Sequence, residues 1–472
     1  MGALNAIQIS YAPNMLSYIA DMTTAIDASN TSDEICQQSP KSDSNTRTES
    51  VAAVVKRTDI LDLIKSIFRN DLEATNRLLT AKPQLINAEV FRTTVRRPIH
   101  LAVTAGNLEI VNELLSYMSE EDVKAQGSSG RTALHLVACS PGNTEIAKSL
   151  IGRNKKLLTF PDKHGFIPLS FACDRGNKDM THYLYNETTL AYLLSRENKT
   201  QAASVVSSCI RSKLFDVALD MLRRCPKLAV AKTSVGSNAV LELSLQPSAF
   251  LSCCGLSFRQ RMIYSSLSSG DDVRINTLEQ QDQKETKNFM MQGKEKLFEF
   301  WSILLEFFGI KQLYDLKLTH VYAHELLLLI SKTIAGLSVE EIHQSLVEEA
   351  IINASERGMT EFIVEIIKSN PDLLRTLDND GKNIIEIAVA YRQEKVFSLI
   401  YAHEVLKYDL STFADNYDNN LLHLAGLLEA QSQLKLDQIS GAALQMQREL
   451  QWFKEVESIV PPAYKHRKND GQ

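Results

Sequence analysis

The sequence predicts an all-α solenoid: helix pairs stacked in two blocks, joined by a flexible linker and preceded by a disordered tail. Three observations carry this expectation. The 472 residues include only 19 glycines and 12 prolines, well under the average combined share of about 12%, so turns are few and helix dominates. Three stretches, RPIHLAVTAGNLEIVNELL (97–115), TALHLVACSPGNTEIAKSLI (132–151) and IPLSFACDRGNKDMTHYLY (167–185), align on Pro98, Ala133 and Pro168, each 35 residues from the next. Within each stretch apolar residues fall at helical spacing on both sides of a Gly-Asn pair.

Residues 1–55 form the tail. DASNTSDEICQQSPKSDSNTRTES offers too little apolar surface to offset the entropy of ordering. The first repeat block covers residues 56–250. In one unit Thr132 caps the first helix and pairs with His135 one turn on, while Pro98 and Pro168 occupy first-turn positions whose N–H needs no partner. Gly106, Gly142 and Gly176 break the short inner helix. Ile110, Val111, Leu114 and Leu115 then bury one stripe of the outer helix. A single pair cannot close a core and a stack of pairs can. Weaker copies flank the three units at 66–86 and 212–231.

The pattern fades after residue 250. Residues 251–296, polar and charge-mixed from SSLSSGDDVRINTLEQQDQKETKNF, are expected to be the linker. Residues 297–437 should hold two apolar helices (297–334) and a second repeat block. There Gly358 breaks a helix, Asn370-Pro371 follows the outer one, and NIIEIA (383–388) matches NLLHLA (420–425) at an offset of 37. Residues 438–472 should supply a closing helix whose buried stripe is Ala443, Met446, Leu450, Phe453, Val456 and Val460, stopped by Pro461-Pro462.

A period near 33 with a T-P-L-H-x-A-like opening resembles the ankyrin repeat. More specifically, GAALQMQRELQWFKEVESIVPPAY (441–464) followed by KNDG (468–471), the NPDLL turn (370–374) and GIKQLYDLKLTHVYAHEL (309–326) resemble plant ankyrin-repeat proteins of the accelerated-cell-death type, with the likeness running from about Arg57 onward. In that family a segment like 441–464 joins the last repeat to a multi-pass PGG membrane domain. The chain stops at Gln472, where Asp470-Gly471 should begin the next turn, so it is expected to be a shortened form or a free relative. The resemblance implies protein partners, a role in stress or defence signalling, and a place on the cytosolic face of a plasma membrane or endomembrane. For the chain as given, without such a segment, the cytoplasm is expected.

Composition narrows the alternatives. With 51 Lys plus Arg against 57 Asp plus Glu and a net charge of −6, no concentrated basic face for nucleic acid is expected. Seven cysteines without a C-x-x-C read as reduced thiols, and Cys253-Cys254 as plain buried residues. The N-terminus lacks the marks of a signal peptide, and Ala6 departs from the myristoylation pattern. FEFWSILLEFFGI (298–310) and ELLLLI (325–330) are too short to span a membrane. His320 and His324, four residues apart on a helix, suit zinc only with a third ligand that the sequence does not supply, so a zinc-dependent hydrolase is the weak alternative. No catalytic, cofactor or metal site is expected. His100, His135 and His423 share the fourth slot of the repeat opening and are expected to bridge neighbouring turns. Binding is assigned to the loop tips and inner helices, with Arg92, Arg96, Ser129, Arg131, Asp162, Lys163, His164, Asp378, Asp380 and Lys382 as candidate contacts.

Overall fold

Each repeat opening sets its own helix boundary. Pro98 and Pro168 stand at the first helical position. Thr132, Asn383 and Asn420 stand just before theirs, and the residue three on folds back onto the preceding N–H in a capping box. At the other end Gly106 and Gly358, at φ 75°, and Gly176, at φ 65°, take the left-handed conformation that closes a helix C-terminus.

The computed structural model describes residues 57–90, 97–127, 129–267, 310–402, 404–439 and 441–470. The tail (1–55), Arg92, Arg96, Ser128 and the apolar stretch 297–309 lie outside the described residues, as does most of the expected linker. Residues from Val55 onward form one compact unit. Among the described residues there is no strand, only an isolated bridge between Leu377 and Asn383. The all-α repeat solenoid is as expected.

The helices follow in chain order as α1 (Arg57–Phe68), α2 (Leu72–Ala81), α3 (Pro98–Ala105), α4 (Leu108–Tyr117), α5 (Ala133–Ala138), α6 (Thr144–Arg153), α7 (Pro168–Asp174), α8 (Lys178–Glu187) and the single turn α9 (Leu190–Leu193). Next come α10 (Lys199–Arg211), α11 (Phe215–Arg224), α12 (Ala239–Ser244), α13 (Phe258–Ser266), α14 (Ile310–Ile334), α15 (Val339–Gln344), α16 (Val347–Arg357) and α17 (Thr360–Ser369). The last are α18 (Ile384–Ala390), α19 (Glu394–Phe397), α20 (Glu404–Thr412), α21 (Leu421–Gly426), α22 (Ala430–Leu436) and α23 (Ala442–Ile459).

The inner helices pack in an unbroken row: α1, α3, α5, α7, α10, α12, α16, α18 and α21, each against the next, with α23 against α21. The step from α12 to α16 joins the two expected blocks directly. It is sealed by Asn238, whose side-chain amide donates to the carbonyl of Ser345. The outer row holds α2, α4, α6, α8 and α11. The long α14 then packs on α11 and on α17, burying Ala323, Leu326, Leu327, Ile330 and Ile334. One hydrophobic cluster runs from Leu63 to Val460.

Two expectations need correction. Residues 251–267, assigned to the linker, are ordered. Leu251–Cys253 forms a 3-10 turn and α13 is capped by Ser257 and Gln260. Lys317 of α14 donates to the carbonyls of Tyr264 and Leu267 at the C-terminal end of α13, where a cation complements the helix dipole. The closing helix α23 buries Trp452, Val456 and Ile459, with Val460 following. Ala443, Met446 and Leu450 are exposed, because the first half of α23 meets its neighbours through polar side chains instead: Gln445 donates to the carbonyls of Leu436 and Ile439, Glu449 pairs with Arg392, and Arg448 with Glu394.

Candidate functional site

Between helix pairs the chain makes the same five-residue turn again and again: Gly127–Arg131, Asp162–Phe166, Thr233–Ser237, Asp378–Lys382 and Asp415–Asn419. In each, the N–H of the first residue donates to the carbonyl of the fifth, at 2.7–3.0 Å, and the N–H of the fourth donates back to the carbonyl of the first. The fourth residue has positive φ at every turn (Gly130, Gly165, Gly236, Gly381 and Asp418), which a side-chain-bearing residue adopts at a cost. Asp162, Asp378 and Asp415 open their turns alike. One carboxylate oxygen accepts the N–H groups two and four residues on, at 2.7–3.0 Å.

Neighbouring turns are joined edge to edge. The N–H of Lys163 donates to the carbonyl of Ser129 and that of Asn416 to the carbonyl of Asp380, at 3.3 and 2.8 Å. The N–H of Asp470 donates to the carbonyl of Tyr417 at 3.2 Å. Where these bonds form, the tips line up as a ladder whose outer rim faces solvent.

The bases of the turns are fixed by the histidine slot. Nδ1 of His100 and His135 accepts the N–H of Arg97 and Thr132, each at 3.1 Å. Nε2 therefore carries the proton, and it donates across to the carbonyl of Ala125, just before the next turn, and to that of Phe166, the last residue of the next turn, again at 3.1 Å. Thr132 Oγ1 lies 2.9 Å from His135 Nδ1. Burial pushes His135 down to about 4, so the ring is neutral and the tautomer holds. His423 accepts the N–H of Asn420 in the same way. At the equivalent place in α18 stands Glu386. It accepts the N–H of Asn383 at 2.8 Å, while its other oxygen is buried without a hydrogen-bond partner. Burial raises this carboxyl to about 8.

The sequence-derived tip residues divide into two groups. Lys163 and His164 are exposed. Asp162 is not a tip residue: it is 6% exposed, engaged by its turn and 3.7 Å from Arg131 Nε. Arg131 is half-buried, and its guanidinium lies 4.6 Å from the Phe171 ring centroid, which makes it part of the inner wall. Ser129 and Asp378 are half-buried. Lys382 pairs with Asp380 at 2.9 Å. The sequence reading missed Phe171 and Phe166, which stack edge-on under Arg131. It also missed Tyr417, which is 56% exposed at its tip. The D-x-x-G spacing shared by Asp162-Gly165 and Asp378-Gly381 was the signal available for the turns.

His320 and His324 do not converge. His320 is buried, with Nδ1 2.8 Å from the Tyr264 hydroxyl and Nε2 3.4 Å from Cys254 Sγ. His324 lines an open cavity of about 780 Å³ with Cys254, Tyr264 and Glu361. Among the described residues no three His, Cys, Asp or Glu side chains are grouped to hold a metal ion, and no helix is long and apolar enough to cross a membrane.

A family profile described as "Ankyrin repeats (3 copies)" matches residues 99–192, the span of α3 to α9. Mouse protein phosphatase 1 regulatory subunit 27 is 33% identical over 93 residues, 20% of this chain and 56% of that protein. Human transient receptor potential cation channel subfamily A member 1 is 29% identical over 116 residues, 24% of this chain and 10% of that protein. The chain thus spans between a tenth and just over half of these relatives. Among solved structures, a chain of the yeast ribosomal protein Rps3 in complex with its chaperone Yar1 matches at 21% identity and a TM-score of 0.26, over 28% of this chain and 95% of its own. Ankyrin repeats are therefore present.

Proposed function

We propose that these ankyrin repeats form a scaffold that holds protein partners along the row of turn tips and the inner-helix wall behind it. The supporting observation is the division of labour between the two helix rows. Outer helices bury their apolar stripe against neighbouring pairs, as α4 does with Ile110, Val111, Leu114 and Leu115. The tips instead are rigid backbone rungs that carry changeable side chains such as Lys163, His164 and Tyr417. A rigid frame with variable tips limits the entropy lost on docking, and solenoids commonly use their concave surface in this way.

The test compares proteins captured by the purified chain with those captured by a Lys163→Glu, His164→Glu, Tyr417→Ala triple variant. Lys148→Glu on the outer helix α6 serves as control. The triple variant should lose at least one partner that the control retains. An unchanged set of captured proteins sinks the assignment of the tips.

The biological setting rests on the resemblance carried by residues 309–326, 370–374, 441–464 and 468–471. We infer a part in plant stress or defence signalling at the cytosolic face of a membrane. An antibody to the repeat region, applied to fractionated tissue, tests this. A species in the membrane pellet supports tethering, whereas one confined to the soluble fraction at 52.9 kDa makes the protein a free adaptor.

A further inference from the structure

Six inner helices close in the same way. α1, α3, α7, α10, α16 and α18 are followed by a residue of positive φ: Asn70, Gly106, Gly176, Lys213, Gly358 and Arg392. The N–H of the next residue donates back to one carbonyl near the helix end, that of Ser66, Ala102, Ala172, Cys209, Ala354 or Ala388. The residue at this slot is buried in all six. Four of them carry a methyl group there, Ser66 carries a hydroxyl, and Cys209 alone carries a thiol.

The extra sulfur meets another. Cys209 Sγ lies 3.1 Å from Cys173 Sγ on α7, the preceding inner helix, with the Cys209 thiol donating. Both cysteines are free and 0% exposed. The two helices are also held together at their ends. Arg211 pairs with Asp174 at 2.7 Å and with Glu242 of α12 at 2.7 Å, and the Ser212 hydroxyl donates to the Asp174 carbonyl at 3.2 Å. A disulfide needs a sulfur–sulfur distance of about 2.05 Å, so closing the pair takes a movement of roughly 1 Å.

We propose that Cys173 and Cys209 are a redox modification site, at which hydrogen peroxide forms a disulfide that staples α7 to α10. One thiol is first oxidised: its sulfur attacks peroxide, the O–O bond breaks, and the products are a sulfenic acid and water. The second thiol then attacks the sulfenic sulfur. The S–S bond forms, the S–O bond breaks, and the hydroxyl leaves as water with the second thiol's proton. Two thiols lose two electrons in all, and one peroxide accepts them. The oxidant class follows from the packing. A small neutral peroxide can enter during local opening, whereas a bulky disulfide such as oxidised glutathione would need its mixed adduct housed in a filled core. Burial also raises the Cys209 thiol well above its ordinary range, which leaves little thiolate for attack on any electrophile, so oxidation proceeds through the local opening that admits the peroxide. The staple falls between the turns at Asp162 and Thr233 and would stiffen that part of the binding wall.

The full chain, reduced and desalted, is exposed to hydrogen peroxide under native conditions. It is then alkylated in denaturant, digested with trypsin and analysed by mass spectrometry. Cleavage after Lys163, Arg175, Lys199 and Arg211 releases Cys173 and Cys209 on separate peptides free of other cysteines. The expected result is a cross-linked pair of those two peptides, together with a rise of several degrees in the unfolding temperature that reductant reverses. Cys209→Ala installs the residue found at this slot in four of the other five helices, so it should fold. It should lose both the cross-link and the temperature shift, as should Cys173→Ala. The proposal fails if both cysteines are fully alkylated after peroxide, if they pass to sulfinic acid without cross-linking, or if the cross-link appears only when peroxide is added in denaturant.

Discussion

At the residue scale, the repeat opening shows how one position serves different chemistries. His100 and His135 fit because a neutral imidazole offers one acceptor and one donor on opposite sides. That dual role was legible in the sequence from their common slot. Glu386 sits in the same slot but, when ionised, has only acceptors, and one of its oxygens is left buried and unpartnered. Its carboxyl lies at about 8 in the folded chain against 4.5 for the free group. The folded state therefore holds a proton that the unfolded chain releases, and stability present below pH 4.5 drains away as pH rises toward 8. At pH 7 the loss is about 3 kcal/mol. His135 works in the opposite direction: its stabilisation is complete above pH 6.5 and falls away as pH drops toward 4. Glu386→Gln keeps the acceptor for the Asn383 N–H and removes the titration. Urea unfolding should show the variant more stable than the parent by about 3–4 kcal/mol at pH 7.5 and equal to it near pH 4. Equal stability at both pH values would mean that Glu386 is hydrated rather than buried.

At the element scale, the turns and helix ends were the most readable features, since glycine at a fixed offset has a single backbone explanation. Their tightness was not readable, because it depends on the next turn in space. A Cβ on Gly130 would stand 2.7 Å from the Lys163 backbone nitrogen, whereas one on Gly165 meets nothing within 4 Å. Both glycines have strongly positive φ (76° and 82°). Gly165→Ala should cost about 1 kcal/mol from backbone strain alone. Gly130→Ala should cost about 1–3 kcal/mol more, since it also forces two turns of the ladder apart. Thermal denaturation of the two variants checks the order, and equal costs would show that the turns do not support one another. The closing helix α23 was misread for a related reason. Two apolar stripes can be drawn on it, and choosing between them requires knowing where the last helix pair ends. Asp162 was misread because an aspartate at a turn looks the same in sequence whether its carboxylate points to water or to its own backbone.

At the scale of the whole molecule, the sequence suggested two blocks because the repeat marks vanish between residues 250 and 349. The structure shows why the marks vanish while the stack continues. The outer position beyond α11 is filled by α14, a helix of 25 residues that replaces an outer helix of the usual 10. Its sequence answers to two neighbours at once. α14 buries Leu326, fully, in the continuous core, and its contacts reach α11 on one side and α17 on the other. In a quasi-linear stack, stability is a sum of unit and interface terms, so a weakened interface is felt first by its immediate neighbours. Leu326→Ala should cost about 2–5 kcal/mol. Hydrogen exchange should then speed up in α11 and α17 together, while α3, several pairs away, keeps its protection. Faster exchange on one side only would mean that α14 belongs to one block and merely touches the other. Loss of protection in α3 as well would mean that the chain unfolds as a single cooperative body, and that a partner gripping one end could be sensed at the other.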